Sequence, residues 1–135
     1  MLSQDTRVRD ICTTILMCLK ISPGSLGFDY MRQAIILCYH DKSLIQFVTK
    51  KLYPQVGEYF HVKANIVERS IRTAINKAYE CGGLLGLNDF YNVIVYTNKF
   101  KYTNSELISI IVEKIRIDIM KEEFYSDPKN NDEED

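Results

Sequence analysis

Apolar residues recur through most of the chain at the spacing of an amphipathic α-helix. Six apolar side chains between Val8 and Leu19 stand at i, i+3, i+4, i+7, i+8 and i+11. A period of about 3.6 residues puts all of them on one face of a helix. The following Ser22-Pro23-Gly24 is typical of a helix break. This segment therefore predicts a helix with one buried face.

The same period predicts helices along the rest of the chain. These cover residues 28–39, 43–51, 64–80, 87–91 and 103–119, and Pro54 begins another short helix, because proline suits a first turn. Residues 93–96 could be extended. No repeat of 20–50 residues occurs. The sequence therefore predicts an all-α fold, a bundle of about six helices.

Individual residues add detail to the prediction of three of these helices. Thr103 and Glu106 form a capping box, in which Glu106 reaches back to the start of the last helix. Gly82 is expected to end the 64–80 helix, since glycine is the usual residue there. The 43–51 helix is expected to turn Leu44, Phe47 and Val48 inward, with Asp41 or Ser43 as its cap.

The net charge of −1 conceals an uneven distribution. Residues 42–81 carry seven basic and three acidic side chains, whereas residues 121–135 carry two basic and seven acidic ones. The end of the chain also lacks apolar residues after Tyr125. We therefore expect a domain at 1–121 and an acidic disordered tail at 122–135. The tail is either solubilising or a regulatory arm that competes with an anionic ligand.

The four cysteines and two histidines do not indicate a metal site. No Cys-x-x-Cys pair occurs, and the spacings do not match zinc ligation. Cys12 and Cys18 are expected to be small buried hydrophobes. There is no signal peptide pattern and no apolar run of about 20 residues. We therefore expect a reduced, soluble, cytoplasmic protein with no metal, cofactor or membrane partner.

Residues 53–72 have the pattern of a helix-turn-helix. Val56 and Phe60 supply apolar contacts before the turn, and Gly57 is the small residue that a close crossing needs. The inward positions after the turn are Val62, Val67 and Ile71, with Ser70 keeping the crossing close. His61 stands where glycine is commonest.

The second helix of this unit carries an outward polar face. Asn65, Arg69, Arg72 and Asn76 stand at i, i+4, i+7 and i+11, with Glu68 at the edge and Lys63 before the helix. Arginine can pair with guanine, asparagine with adenine and glutamate with cytosine, while lysine suits phosphates. A solvated helix face with a Glu68–Arg72 pair explains the same pattern.

Four separated segments resemble the C-terminal DNA-binding domain of the stage-zero sporulation response regulator family. They are Gly27-Phe-Asp-Tyr-Met-Arg-Gln-Ala-Ile35, Thr49-Lys-Lys-Leu-Tyr-Pro54, Val67-Glu-Arg-Ser-Ile-Arg72 with Ala74-Ile75, and Thr103-Asn-Ser-Glu106 with Lys114-Ile-Arg116. The resemblance spans about residues 8–118, with the segments in the same order.

This resemblance implies a bundle of about six helices whose 64–80 helix enters the major groove of double-stranded DNA. It implies a short promoter element, often bound as tandem sites by two domains packed head to tail. Glu68, Arg69 and Arg72 match family positions that contact DNA, whereas Ile66 stands where the family has an arginine. The predicted DNA-binding residues are Lys63, Asn65, Ile66, Glu68, Arg69, Arg72 and Asn76.

Three departures from the family bear on function. Ile66 implies either a shifted preferred sequence or weaker specific binding. The chain begins almost directly in the effector domain, so phosphorylation control through a receiver domain is expected to be absent. Residues 82–101 differ from the region with which the family contacts the RNA polymerase sigma subunit.

Two functions therefore compete, from different classes. The first is a sequence-specific DNA-binding transcriptional regulator without phosphorylation control. The second is an interaction protein that pairs with the full-length regulator, or another partner, without binding DNA. An enzyme is not predicted, because Gly82-Gly83-Leu84-Leu85-Gly86 lacks the Lys-Ser/Thr of a phosphate-binding loop and no nucleophile pattern occurs.

Overall fold

The described part of the chain consists of helices and the turns between them. The computed structural model describes residues 4–91, 96 and 100–126. Within these ranges there is no strand, so the prediction of an all-α fold is confirmed. The helices are α1 (Gln4–Cys18), α2 (Leu26–His40), α3 (Tyr53–Phe60), α4 (Ala64–Glu80), α5 (Leu87–Tyr91) and α6 (Asn104–Ser126).

Helix α2 lies in the middle of the bundle. It packs against α1, α3, α4 and α6, while α4 also packs against α3 and α6. Its buried face, which includes Phe28, Met31 and Ile35, supplies the centre of the core. The other helices contribute their own apolar faces to the same core, among them Val8, Leu16, Val67, Ile71, Leu107, Ile111 and Ile115.

Side-chain caps fix several helix ends. Thr103 and Glu106 form the predicted capping box: the Thr103 N–H donates to Glu106 Oε1 at 3.0 Å, and the Glu106 N–H donates to Thr103 Oγ1 at 3.2 Å. Hydrogen bonds from the backbone and the side chain of Thr103 lower the pKa of the Glu106 carboxyl group. Helix α2 begins at Leu26, earlier than predicted, because Ser25 Oγ accepts the Phe28 N–H. Gly82 follows α4 with a φ of 76°, as predicted.

The segment between α2 and α3 corrects the sequence prediction. In place of a continuous α-helix at 43–51, a 3-10 helix (Lys42–Phe47) leads into a π-helical turn (Val48–Leu52). Pro54 explains the wide turn, since proline donates no hydrogen bond and its ring crowds the preceding turn of an α-helix. Leu44 is buried as expected, whereas the break at Phe47 leaves that ring 43% exposed.

The cysteines divide into two buried and two exposed thiols. Cys12 and Cys38 are buried, and burial raises the pKa of each to about 12. Cys18 is exposed, contrary to the prediction, because it lies well off the buried stripe of α1. All four are free thiols.

The C-terminal part of the chain is described only in pieces. The short helix α5 matches the prediction at 87–91, whereas residues 93–95 of the predicted extended segment lie outside the described residues. Helix α6 continues to Ser126, so residues 122–126 of the predicted tail are helical. The division into a domain and a disordered tail otherwise remains a prediction. No helix among the described residues is long and apolar enough to span a bilayer.

Candidate nucleic-acid interface

Helices α3 and α4 form a helix-turn-helix whose tight turn is set by two residues. His61 ends α3 in the left-handed conformation, with φ 59° and ψ 43°. The next residue closes the turn, because the Val62 N–H donates to the Gly57 carbonyl at 2.9 Å. The conformation that glycine adopts most readily is thus held by a histidine here.

Gly57 is required at the crossing, as the sequence predicts. A Cβ atom at this position would lie 2.4 Å from the Val62 carbonyl oxygen. The predicted role of Ser70 is different from the observed one. Its backbone carbonyl meets Gly27 of α2, where a Cβ would lie only 2.5 Å away. Ser70 therefore belongs to a close α2–α4 contact rather than to the α3–α4 crossing.

The seven predicted DNA-binding residues lie in or immediately before α4, and they differ in exposure. Four are exposed, namely Lys63, Asn65, Arg69 and Arg72. The other three are half-buried, namely Ile66, Glu68 and Asn76. The exposed members follow the outer face of the helix, opposite the buried Val67, Ile71 and Ala78. Whether the seven contact DNA remains a prediction.

Glu68 and Arg72 form the ion pair that the alternative interpretation of the sequence includes. Glu68 Oε1 lies 3.0 Å from Arg72 Nη1, and the two side chains are 35% and 55% exposed. The pair joins successive turns of α4. Arg69 has no ion-pair partner among the described residues. Its charge is therefore not offset by a neighbouring carboxylate, whereas that of Arg72 is.

Two of the half-buried residues, Ile66 and Asn76, differ in what they offer to a ligand. Ile66 packs against the core, so it offers an apolar edge and no hydrogen bond. Asn76 is the last of the predicted residues along this face, and its Oδ1 atom is buried without a hydrogen-bond partner among the described residues. An unpartnered buried oxygen is costly, which makes Asn76 the least relaxed polar group of the face.

A cleft of about 410 Å³ lies between α4 and the start of α6, and Glu68, Arg72 and Asn76 line it from α4. Asn104, the first residue of α6, crosses it: its Nδ2 donates to the Tyr53 hydroxyl at 3.1 Å and to the Glu68 carbonyl at 3.2 Å. The pKa of Tyr53 is raised, chiefly by burial. Lys101 also lines the cleft.

Asn104 and Lys101 were not among the predicted site residues. The polar run at the start of α6 is visible in the sequence, but nothing local tells which helix it meets. The site is thus a helix that presents cationic and amide donors, with the start of α6 packed beside it. Among residues 4–91, 96 and 100–126, no cluster of His, Cys, Asp and Glu could hold a metal ion.

Residues 12–115 are similar to a known protein family. The family model described as "Sporulation initiation factor Spo0A C terminal" matches residues 12–115. The matched range covers more than half of the chain and includes α2, the whole helix-turn-helix and the first half of α6. All seven predicted DNA-binding residues lie within it.

Proposed function

Since the chain belongs to the family of Spo0A C-terminal domains, we propose that it is a sequence-specific transcriptional regulator that reads duplex DNA with α4. The resemblance predicted from the sequence is confirmed, and the family is one of DNA-binding transcription factor domains rather than of enzymes. One observation carries the proposal. Asn65, Arg69 and Arg72 are exposed together on the second helix of a helix-turn-helix.

The proposed mechanism is groove occupancy without covalent chemistry. The outer face of α4 enters the major groove, where Arg69 and Arg72 can each donate two hydrogen bonds to guanine and Asn65 can pair with adenine. Lys63 directly precedes the first residue of α4 and is exposed. A lysine beside the N–H groups of a helix N-terminus suits a backbone phosphate.

Because Ile66 stands where the family has an arginine, we expect this chain to prefer a different DNA sequence at one position. We call the exposed side of α4 with Asn65, Arg69 and Arg72 the reading face. The Ile66 side chain is half-buried against the core, and its exposed part is an apolar surface beside this face. Apolar side chains contact the methyl group of thymine in the major groove. We therefore expect thymine in place of the guanine that an arginine would select.

Selection from a library of random duplexes tests this proposal directly. The parent chain is expected to enrich one short consensus, and Ile66→Arg is expected to change that consensus at one position towards guanine. A matched Ile45→Arg exchange on the 3-10 helix, outside α4, should leave the consensus unchanged. Enrichment of no consensus by the parent would contradict sequence-specific binding.

Two further expectations follow from the family resemblance and belong to the same proposal. One is head-to-tail binding of two copies on tandem sites, and the other is contact with the sigma subunit of RNA polymerase. Sedimentation on duplexes with one or two consensus sites measures the first. Two copies should bind the duplex that carries two sites, and the stability of that complex should depend on the spacing between the sites.

The second candidate is an interaction protein that pairs with the full-length regulator without binding DNA. The Glu68–Arg72 pair favours it, because half of the arginine charge on the reading face is already neutralised within the helix. Analytical ultracentrifugation of the chain with the regulator, with and without DNA, separates the two functions. A complex with protein and none with any duplex would support the second.

A further inference from the structure

A second concave surface lies on the flank of α4 opposite the Asn104 cleft. It is a pocket of about 310 Å³ between α4 and the turn that joins α1 to α2. Arg69, Thr73 and Lys77 line it from α4, whereas Glu68, Arg72 and Asn76 face the Asn104 cleft. The two surfaces thus border the reading face of the helix on both sides.

The charge of this basic pocket is uncompensated. Three cationic side chains line it, Lys20 from the turn and Arg69 and Lys77 from α4, and no acidic residue does. None of the three has an ion-pair partner among the described residues, in contrast to Arg72 on the other flank. Hydroxyl groups of Ser22, Ser70 and Thr73 are also available in its lining. Converging cations and hydroxyls in a concave surface suit an anion.

The fold fixes the backbone around this pocket without a ligand. Lys20 follows α1 with a φ of 62°, between the buried Leu19 and Ile21, so the backbone that carries its exposed side chain is anchored on both sides. The missing side chain of Gly27 lets the start of α2 approach the Ser70 carbonyl closely. Leu26 and Gly27 are the first two residues of α2, so their N–H groups have no acceptor within the helix.

We propose that the basic pocket binds a backbone phosphate of the DNA strand that borders the major groove occupied by α4. The inference rests on the proposed function. Arg69 belongs to both surfaces, so a groove filled by α4 brings DNA to the edge of the pocket. A helix with its side chains is about as wide as the major groove, which places each flank beside a phosphate strand. Lys20, outside the helix-turn-helix, then positions α4 without reading sequence.

Salt-dependent DNA binding tests the pocket through Lys20→Asn and Lys77→Gln. Asparagine tolerates the left-handed backbone at Lys20, and glutamine preserves helix propensity at Lys77. Each exchange should reduce the slope of log affinity against log salt by about one and weaken binding roughly five- to tenfold at about 0.1 M salt. The loss should be equal for consensus and random duplexes. Lys121→Gln, an exposed lysine near the end of α6, is the matched control.

Three other results would overturn the proposal, and each points to a different reason. If both variants keep the slope of the parent and of Lys121→Gln, the pocket does not contact DNA. If they keep that slope but Lys20→Asn abolishes thermal stabilisation by inorganic phosphate at constant ionic strength, the pocket serves a free phosphate compound instead. If the parent binds no duplex, the proposed function fails together with this inference.

Discussion

Glu68 Oε1 lies 3.0 Å from Arg72 Nη1 across one turn of α4, on the face proposed to read DNA. Both side chains are partly exposed, so the pair adds at most about 0.5 kcal/mol to stability. Its larger effect is electrostatic, because the carboxylate lies against one of the two arginines proposed to read DNA and offsets its charge. To contact a base, Arg72 has to give up its contact with Glu68.

Glu68→Gln should therefore strengthen non-specific binding. The exchange removes a negative charge and releases Arg72, so affinity for a random duplex should rise several-fold and the salt slope should steepen, as measured by fluorescence anisotropy. Glu58→Gln, an exposed position on α3, is the matched control for charge. Equal gains in the two variants would mean that the ion pair does not restrain Arg72.

Gly57→Ala should destabilise the protein through the helix-turn-helix turn. The added methyl would lie 2.4 Å from the Val62 carbonyl, which is backbone and cannot rotate away. Overpacking of this kind costs about 1–3 kcal/mol in the free energy of unfolding, measurable by urea denaturation. At Gly24 the nearest atom is 3.9 Å away, so Gly24→Ala should change little. Comparable effects at both sites would disprove the close crossing.

Asn104→Ala should loosen α4 from α6. The exchange leaves both the Tyr53 hydroxyl and the Glu68 carbonyl without their shared donor. The expected loss is about 1–3 kcal/mol in the free energy of unfolding, and hydrogen exchange in α4 should accelerate. Tyr53→Phe removes only one of the two acceptors and should cost less. A larger loss in Tyr53→Phe would contradict the bridging role of Asn104.

Stability should fall at alkaline pH because of a buried thiol. Burial raises the pKa of Cys12 from 9.0 to about 12, so between these values the folded state keeps a proton that the unfolded state releases. The resulting loss is up to about 1.4 kcal/mol per pH unit for this group, present as pH rises above 9. Cys12→Ala should reduce but not abolish the decline of the urea midpoint above pH 9, because Cys38, whose pKa burial also raises to about 12, remains. The exposed Cys18→Ala should retain the full decline.

The sequence predicts those features of this fold that depend on neighbours in the chain. The Val8–Leu19 stripe, the Thr103–Glu106 capping box and Gly82 are all of this kind, and each is confirmed. The predicted inward position of Phe47 was wrong, because the 3-10 helix ends at this residue and the backbone leaves the helical conformation there, with φ −131° and ψ 50°.

Contacts between distant segments could not be predicted in the same way. Gly27 meets Ser70, and Asn104 meets Glu68, only because α2 and α6 both pack beside α4. The outer face of α4 was visible in the sequence as a spacing of polar residues. The pocket at Lys20 was not, since its lysines come from segments more than 50 residues apart.

The most direct test of the account compares single arginine variants in binding to a duplex that carries the consensus selected by the parent. Fluorescence anisotropy should show binding weakened by about 5- to 150-fold in Arg69→Ala and in Arg72→Ala, the equivalent of about 1–3 kcal/mol each. Arg9→Ala, which removes an exposed arginine from α1, should bind within twofold of the parent. If Arg69→Ala and Arg72→Ala bound as tightly as Arg9→Ala, α4 would not be the reading helix.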